Sequence, residues 1–521
     1  MRNRALLPIL LALCVSRVPA QLPLLTAPRG TLRIEFGGGF FPATSAFADG
    51  RKRDLGEPLT LASLDAGATP LLGDLESRLA EILGRPATAT GLGSITTVAE
   101  RQRGVATIGL ALGLTRRITI SSTVPIVSVR TQRSISYDPA GANVGLNPSD
   151  PILGDAAGRA RTAAFFAELD VAIATLTTKY SRGDYATDPT AQALAQQTLG
   201  EAPALRASLY TLLMDSVMAS AVLPTDVSAD GAALLTRVTS LRNKFSGGLG
   251  IPGFTGAPAL PTSIVTSAGF DALLAAPTGF GLLAPEDRPL VGLGDIEGAI
   301  TAELIQHGRP GDARWLGFWV QGVGRFPTGQ LSRPQFLFDQ GTGDRQIDAE
   351  LAGIIELGRH RLGLRAEGRY VLQLASDLYA RVGGRDQLLL PAYRRAGVHR
   401  NPGDIVAVTV QPFFRLAPRL AFTGLVSYQR RGADATTYIT GQDPVGGAAA
   451  SILDAGTGAD ATIVGVGFSY VHDGHHRDGI LRMPVEAGLS IERTIRSGSG
   501  LVVASLTSRL VFRVYKALVR Q

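Results

Sequence analysis

The residues with most chemistry to offer are arginines and carboxylates that recur at every second position. Between Gly294 and Leu304, Asp295, Glu297, Thr301 and Glu303 alternate with Ile296, Ile300, Ala302 and Leu304, and between Leu364 and Tyr370, Arg365, Glu367 and Arg369 alternate with Leu364, Ala366, Gly368 and Tyr370. A spacing of two gathers the charges on one face of an extended chain, whereas helical winding would scatter them around the axis. The same alternation places Arg33, Glu35, Arg325, Asp348, Glu350, Glu356, Arg415, Arg431, Arg482, Glu486, Glu492, Arg509 and Arg513 on polar faces opposite apolar ones. Two uses fit such a set. Neighbouring strands can pair opposite charges to fill and stiffen a narrow interior. Alternatively, acids concentrated on 294–304 and 348–357, facing bases on 364–431 and 501–515, can set a transverse field that steers ions or zwitterions. Pairing is the expectation, and the field remains open.

Catalytic chemistry finds no comparable footing. His307, His360, His472, His475 and His476 fall in short turns between strand-like stretches, and only His399 lies on the side of the long connections. A hydrolase near the mouth of a barrel needs a histidine with a nucleophile and an acid, and no nucleophile motif surrounds His399. The turn HDGHHRDG, with Asp473 and Asp478 beside its three histidines, has donors for a transition metal, but solvated turn residues account for it and no metal site is assigned. There is no phosphate-binding glycine loop and no dinucleotide fingerprint. The expectation is a non-enzyme without cofactor or metal.

The elements that must carry these faces are strands. Twelve stretches of period two can be traced, from Thr31–Phe41 to Leu501–Tyr515; in the last, Val502, Ala504, Leu506, Leu510, Phe512 and Val514 share one face, and Ser505, Thr507, Arg509 and Arg513 the other. Apolar on one side and arginine-bearing on the other suits lipid outside and water inside, the pattern of an antiparallel membrane barrel. An even strand number returns both termini to one side, expected to be the periplasm. The connections at 115–116, 305–313, 358–360, 417–418 and 472–479 are then short and periplasmic, while 42–104, 132–293, 330–347, 374–403 and 432–461 are long and extracellular. Outward aromatics fall in two tiers, Phe318, Phe414, Phe422, Tyr470 and Phe512 near the short turns and Phe40, Phe326, Tyr370 and Tyr428 near the other ends, as lipid boundaries favour. Pro125, Pro412 and Pro484 run against the pattern, since each deletes a ladder hydrogen bond in a sheet that has no edge.

Composition agrees. The chain of 521 residues holds 62 glycines and 18% charged residues, its mean hydropathy is mildly positive, and no apolar run beyond the N-terminus reaches the length of a spanning helix. Residues 1–20 read as a secretory signal: Arg2 and Arg4, the apolar run Ala5–Val15, and Val18-Pro19-Ala20 before Gln21. The single cysteine, Cys14, belongs to that segment, so a mature chain without thiol or disulfide is expected. Losing Arg2, Arg4 and Arg17 lowers the formal charge from +7 to +4, too diffuse to argue for nucleic acid.

The period changes between 154 and 246. Phe165, Leu169, Ile173, Leu176 and Tyr180, then Leu205, Leu209, Leu212 and Val217, then Leu234, Val238, Leu241 and Phe245 recur at helical spacing, predicting three helices, with a further one over Leu72–Leu83. A Gly/Pro-rich tether, Gly247–Pro261, leads back toward the next strand. The expected organisation is a signal peptide over 1–20, barrel strands one to three over 21–131, an extracellular helical insertion over 132–293, and strands four to twelve over 294–521.

Four stretches carry a resemblance: GLALGLTRRITISSTVPIV (109–127), VGLGDIEGAITAEL (291–304), GRFPTG (324–329) and FDQGTGD (338–344). They are similar to outer-membrane transporters of the long-chain fatty acid transporter superfamily, including members linked to degradation of aromatic compounds by the phenol meta-pathway, over about half of the barrel. The resemblance implies uptake of hydrophobic or small organic solutes. The chain departs from that group in having only a short segment between the cleavage site and strand one, too short for an N-terminal hatch, in the large helical insertion, and in a C-terminus that overruns the usual terminal aromatic, with Tyr515 or Phe512 as its stand-in. The overall expectation is an all-β outer-membrane barrel of about twelve antiparallel strands acting as a passive or gated channel for small solutes, apolar ones included. Its expected partners are outer-membrane lipid, the solute and the barrel-assembly machinery. The alternative is a structural or interaction protein whose barrel anchors the helical module at the surface.

Overall fold

The computed structural model describes residues 25–283, 289–308, 312–337, 339, 341–384, 387, 389–417, 419–472, 476–477, 480–481 and 485–518, with backbone alone for 472, 476–477 and 480–481. The predicted signal and Cys14, the acids Asp473 and Asp478, His475, Arg482 and Pro484 lie outside these residues, as do the side chains of His472 and His476.

Among the described residues, twelve strands close on themselves: β1 (Thr31–Ala43), β2 (Ser94–Gly113), β3 (Ile118–Asp138), β4 (Ile296–His307), β5 (Trp315–Phe326), β6 (Asp348–Arg359), β7 (Leu362–Gln373), β8 (Ile405–Ala417), β9 (Leu420–Arg431), β10 (Ala459–His472), β11 (Val485–Arg496) and β12 (Leu506–Ala517). Each pairs antiparallel with its sequence neighbours, and β1 pairs with β12 from Thr31↔Ala517 to Phe40↔Ser508, which seals the cylinder. Alternation along the strands sorts side chains as the sequence anticipates. Phe36, Ile108, Ile120, Ile300, Leu351, Val408, Val466, Leu489 and Leu510 are exposed on the outside, while Arg33, Thr119, Thr301, Glu356, Arg365, Thr409, Ser490 and Thr507 are buried inside. An apolar exterior around a polar interior is the signature of a membrane barrel, because lipid replaces the soluble protein's water.

Two of the prolines that run against the pattern sit where the ladder is interrupted. β3 pairs with β4 over Ile118–Thr123 and with a short strand, Leu290–Leu293, over Ile126–Val129, so Pro125 occupies the changeover, where no ladder donor is needed. Its carbonyl accepts from Gly294 N at 2.8 Å. At Pro412 the β8–β9 ladder runs to Val410↔Val426 and resumes at Phe413↔Thr423.

Three strand expectations need correction. The expected strands two and three begin at 105 and stop at 131, but β2 and β3 are 20 and 21 residues long and pair throughout, from Ser94↔Asp138 to Gly113↔Thr119. A bilayer needs about 9–11 residues per strand, so this hairpin overhangs the barrel; beyond the lipid the lipid-and-water pattern lapses and the sequence signal with it. The last strand is broken: Leu501–Val503 leaves the barrel to pair with Ser45–Ala48, and Val502, expected on the lipid face, is 0% exposed among Ala459 and Ala461. Tyr515 cannot serve as a terminal aromatic at the lipid boundary, since it points inward, 1% exposed, and donates to Glu486 Oε1 at 2.7 Å; Phe512 remains outside.

Among the described residues, five α-helices gather at the end of the long loops. α1 (Pro70–Leu83) starts with Thr69 capping Leu71 N and a proline in its first turn, and stops at Gly84, whose φ of 65° is open to glycine. α2 (Ala156–Ser181), α3 (Pro189–Leu213) and α4 (Ala229–Asn243) are capped by Asp155, Asp188 and Ser228. α3 ends before Val217, which was expected on its apolar stripe: Asp215 turns the chain by accepting from Val217 N and Met218 N, and Val217 is 77% exposed. The expected tether is packed, with Ile251, Phe254, Ala259 and Leu260 buried, and α5 (Ser267–Ala275) follows where irregular chain was expected. One apolar core joins Leu72, Leu75 and Leu79 of α1 to Phe165 and Leu169 of α2, Leu209 of α3, Leu234 of α4, Phe270 of α5 and Ile95 of the overhanging β2. The helices therefore form a cap continuous with the barrel's own loops.

Candidate functional site

The site grows from a knot of three segments at the top of β4 and β5. The Asp295 carboxylate accepts from Gly329 N at 2.9 Å and from Asp344 N at 3.2 Å. Thr328 Oγ1 donates to Gly294 O at 2.6 Å and accepts from Ile296 N at 3.0 Å, while Thr342 Oγ1 donates to Leu293 O at 2.5 Å and accepts from Gln330 N at 2.9 Å. These are the Gly-Asp, Pro-Thr-Gly and Gly-Thr-Gly-Asp segments that carry the sequence resemblance. Their glycines are needed for close approach: a Cβ on Gly343 would meet the Asp295 carboxylate at 2.5 Å, and one on Gly329 would meet the Gly343 backbone. The knot turns the 327–347 connection back against the barrel, so that Thr342, Gly343 and Asp344 become part of the wall of an internal cavity. Burial, then the neighbouring Asp348 and Asp295 carboxylates, push the Asp344 carboxyl up to about 7.

That cavity, of about 190 Å³, is lined among others by Arg33, Glu35, Asp295, Glu297, Arg325, Glu350, Glu367, Arg369, Arg509 and Arg513. A second cavity, of about 200 Å³, lies toward the short-turn end with Glu303, Glu356 and Arg365 in its wall, beside Trp315 and Trp319. The N-terminal segment reaches both. Leu25 lines each cavity, and Ala27, 1% exposed, donates its N–H to Thr119 Oγ1 at 2.8 Å inside β3. Short as it is, the stretch before β1 enters the cylinder.

Most charges meet an opposite charge across a strand boundary. Arg365 lies beside Glu356 in the β6–β7 register and binds it at 2.7 Å. Arg325 bridges Glu297 at 3.2 Å, Asp348 at 2.6 Å and Glu350 at 3.8 Å, tying β4, β5 and β6. Arg513 joins Glu35 at 2.6 Å to Glu486 at 3.3 Å across the closing seam, and Arg509 holds Glu492 at 3.4 Å. Arg431 pairs with Asp434 at 2.7 Å at the long-loop rim, while Arg415 stacks over Trp315 near the short turns.

Sequence reasoning missed Arg101 and Arg103, on the part of β2 assigned to a loop. They face Asp339 and the pair Asp295 and Asp344 respectively. The alternation Thr97, Ala99, Arg101, Arg103 upstream of Val105 was the available signal. His399, alone on the long-loop side, places Nδ1 2.7 Å from Asp377 Oδ1, on an exposed three-stranded sheet (376–381, 395–401, 435–438) with Thr437 next in register; it lines neither of the two internal cavities. Among the described residues no cluster of three or more His, Cys, Asp or Glu is placed to hold a metal.

No protein-family profile matches the chain, and no curated protein does. Solved structures align along most of its length: an outer-membrane channel from Pseudomonas putida F1 (TM-score 0.40, 9% identity, covering 94% of this chain and 97% of that one), the CymD monoaromatic hydrocarbon channel (0.28, 10%, 94% and 89%) and the translocator domain of the autotransporter NalP from Neisseria meningitidis (0.27, 8%, 94% and 89%). Channels and an autotransporter translocator domain thus align over similar shares. The strands and side chains of this chain by themselves make a closed twelve-stranded membrane barrel with a charged interior.

Proposed function

We propose that the protein is an outer-membrane channel that admits small solutes, with the long loops and helical cap outside the cell, both termini in the periplasm and the inward charges, Arg482 included, lining the route. The observation that carries this reading is the pair of cavities inside a cylinder whose outer surface is apolar: a barrel serving only as an anchor has no need of internal space walled by ionised groups. The cavities are small, so a compact solute suits them; an apolar cavity of about 150 Å³ is enough for benzene. Between the cavities, the 25–28 segment narrows the way, and above them the seated 327–347 connection narrows it again, which makes the channel gated rather than freely open. Lipid and a barrel-assembly machinery are the partners such a fold requires. The alternative, a barrel that only anchors the helices, fits less well with a cap whose core is shared with the barrel's own hairpin.

The test is reconstitution of the full chain in planar bilayers. Small steady conductance is expected, rising when Asp295→Ala frees the 327–347 connection. A correctly folded barrel that passes no current, with or without that substitution, overturns the reading.

A further inference from the structure

Arg369 lacks the cross-strand partner that several interior arginines have. Arg365, Arg325 and Arg513 each have a carboxylate directly across a strand boundary, but the register of β7 sets Arg369 between Ala352 and Ala407, both buried and neither able to accept a hydrogen bond through its side chain. Arg369 is 9% exposed and lines the cavity walled by Thr342, Gly343 and Asp344, and among the described residues its guanidinium makes no hydrogen bond or ion pair. A buried charge without a counter-charge is costly. Arg509, which holds Glu492, lines the same cavity within electrostatic reach of Arg369. Glu367, two positions from Arg369 on the same strand, also lines the cavity, but the part of the wall beside Arg509 is apolar. Phe41 lies under the Arg509 guanidinium at 5.4 Å and packs with Val105 and Val127.

From the unmatched guanidinium, the positive field of its arginine neighbour and the adjoining apolar surface, we propose that the cavity lined by Arg369 is a binding site for a compact organic anion, its carboxylate held by Arg369 and its apolar body against Phe41, Val105 and Val127. The inference rests on the channel reading and narrows its solute to one charge and one apolar body, because guanidinium forks match carboxylates in two-point contact.

The probe is benzoate, titrated calorimetrically against the detergent-solubilised full chain and applied to the chain in bilayers. Benzoate is expected to bind and to reduce the chloride current, and benzylammonium is not. Arg369→Gln should weaken benzoate binding by at least about tenfold, the loss of one charge-assisted hydrogen bond, and relieve the reduction in current. If Arg369→Gln fails to fold, judged by its heat-dependent gel mobility, Arg369→Lys keeps the charge and should weaken binding several-fold. Equal benzoate affinity in the wild type and the variant that folds, no benzoate binding, or equal displacement by chloride overturns the proposal. A folded wild type that binds benzoate but passes no current refutes the channel and leaves the site.

Discussion

Glu356 and Arg365 show what the interior charges do one at a time. Their side chains are each 4% exposed and 2.7 Å apart. Replacing one member of a buried pair costs more than never having had it, because the survivor stays charged out of water. Glu356→Gln should lower barrel stability by about 3 kcal/mol, read as a shift in the urea midpoint of the barrel refolded in lipid vesicles. Asp295 works differently, through backbone N–H groups. Asp295→Ala strands two donors and should loosen the 327–347 connection by about 1–3 kcal/mol, visible as new protease cleavage there. Asp344 makes the same connection sensitive to pH. Its carboxyl is raised to about 7 by burial and by Asp348 and Asp295, against 3.8 when the connection is released, with the Gln346 N–H, Arg325 and Arg103 opposing the effect. The released state therefore ionises first, so seating weakens as pH climbs from about 4 to about 7 and changes no further above that. Cleavage within 327–347 should rise over this window in the wild type and stay flat in Asp344→Asn.

At the scale of elements, the cap is held by a few hubs. Arg381 donates from Nε to Pro334 O at 2.9 Å, from Nη1 to Leu390 O at 2.5 Å and to Phe280 O, and from Nη2 to Gly281 O at 3.0 Å, so one side chain joins the tail of the helical module to two other loops. Asp74 of α1 accepts from Tyr393 at 2.6 Å and Arg394 at 3.0 Å. Arg381→Ala should leave the barrel closed and speed hydrogen exchange at 279–283 and 389–391 by the equivalent of about 1.5–3 kcal/mol. These hubs were illegible in the sequence because nothing periodic marks a side chain that binds carbonyls of distant loops. The strands were legible for the opposite reason: lipid on one side and water on the other impose a period of two on every residue between them. Where that constraint ends the pattern ends too, at Ser94–Gly104 above the lipid, at Val502, and at α5, whose nine residues are too few to show a period. The candidate site was half legible. Its charges stood out by alternation, but the inward fold of 327–347 depends on Asp295 accepting backbone hydrogens, and the entry of 25–28 on one buried N–H.

Across the whole molecule, the outside must satisfy the bilayer. Val466 is exposed near the middle of β10, with Leu489 and Val426 exposed on the neighbouring strands. Val466→Arg should destabilise the barrel by about 2–4 kcal/mol in vesicles, with the smaller end of that range expected nearer a boundary, while the outward Leu416→Arg, one residue from the short-turn end of β8, should cost less. Equal costs at the two positions would argue against a lipid belt there.

The seam between β1 and β12 matters beyond geometry. Every other ladder of the cylinder joins barrel strands that follow one another along the chain, but this one brings residues 31–40 to 508–517. Like the last stave of a cask, it is fitted only when all the others stand, and the hoop tension of the whole then passes through ten register positions carrying Glu35 and Arg513. A nick in an outer loop leaves the cask tight, whereas loss of either terminal stave opens two raw edges at once.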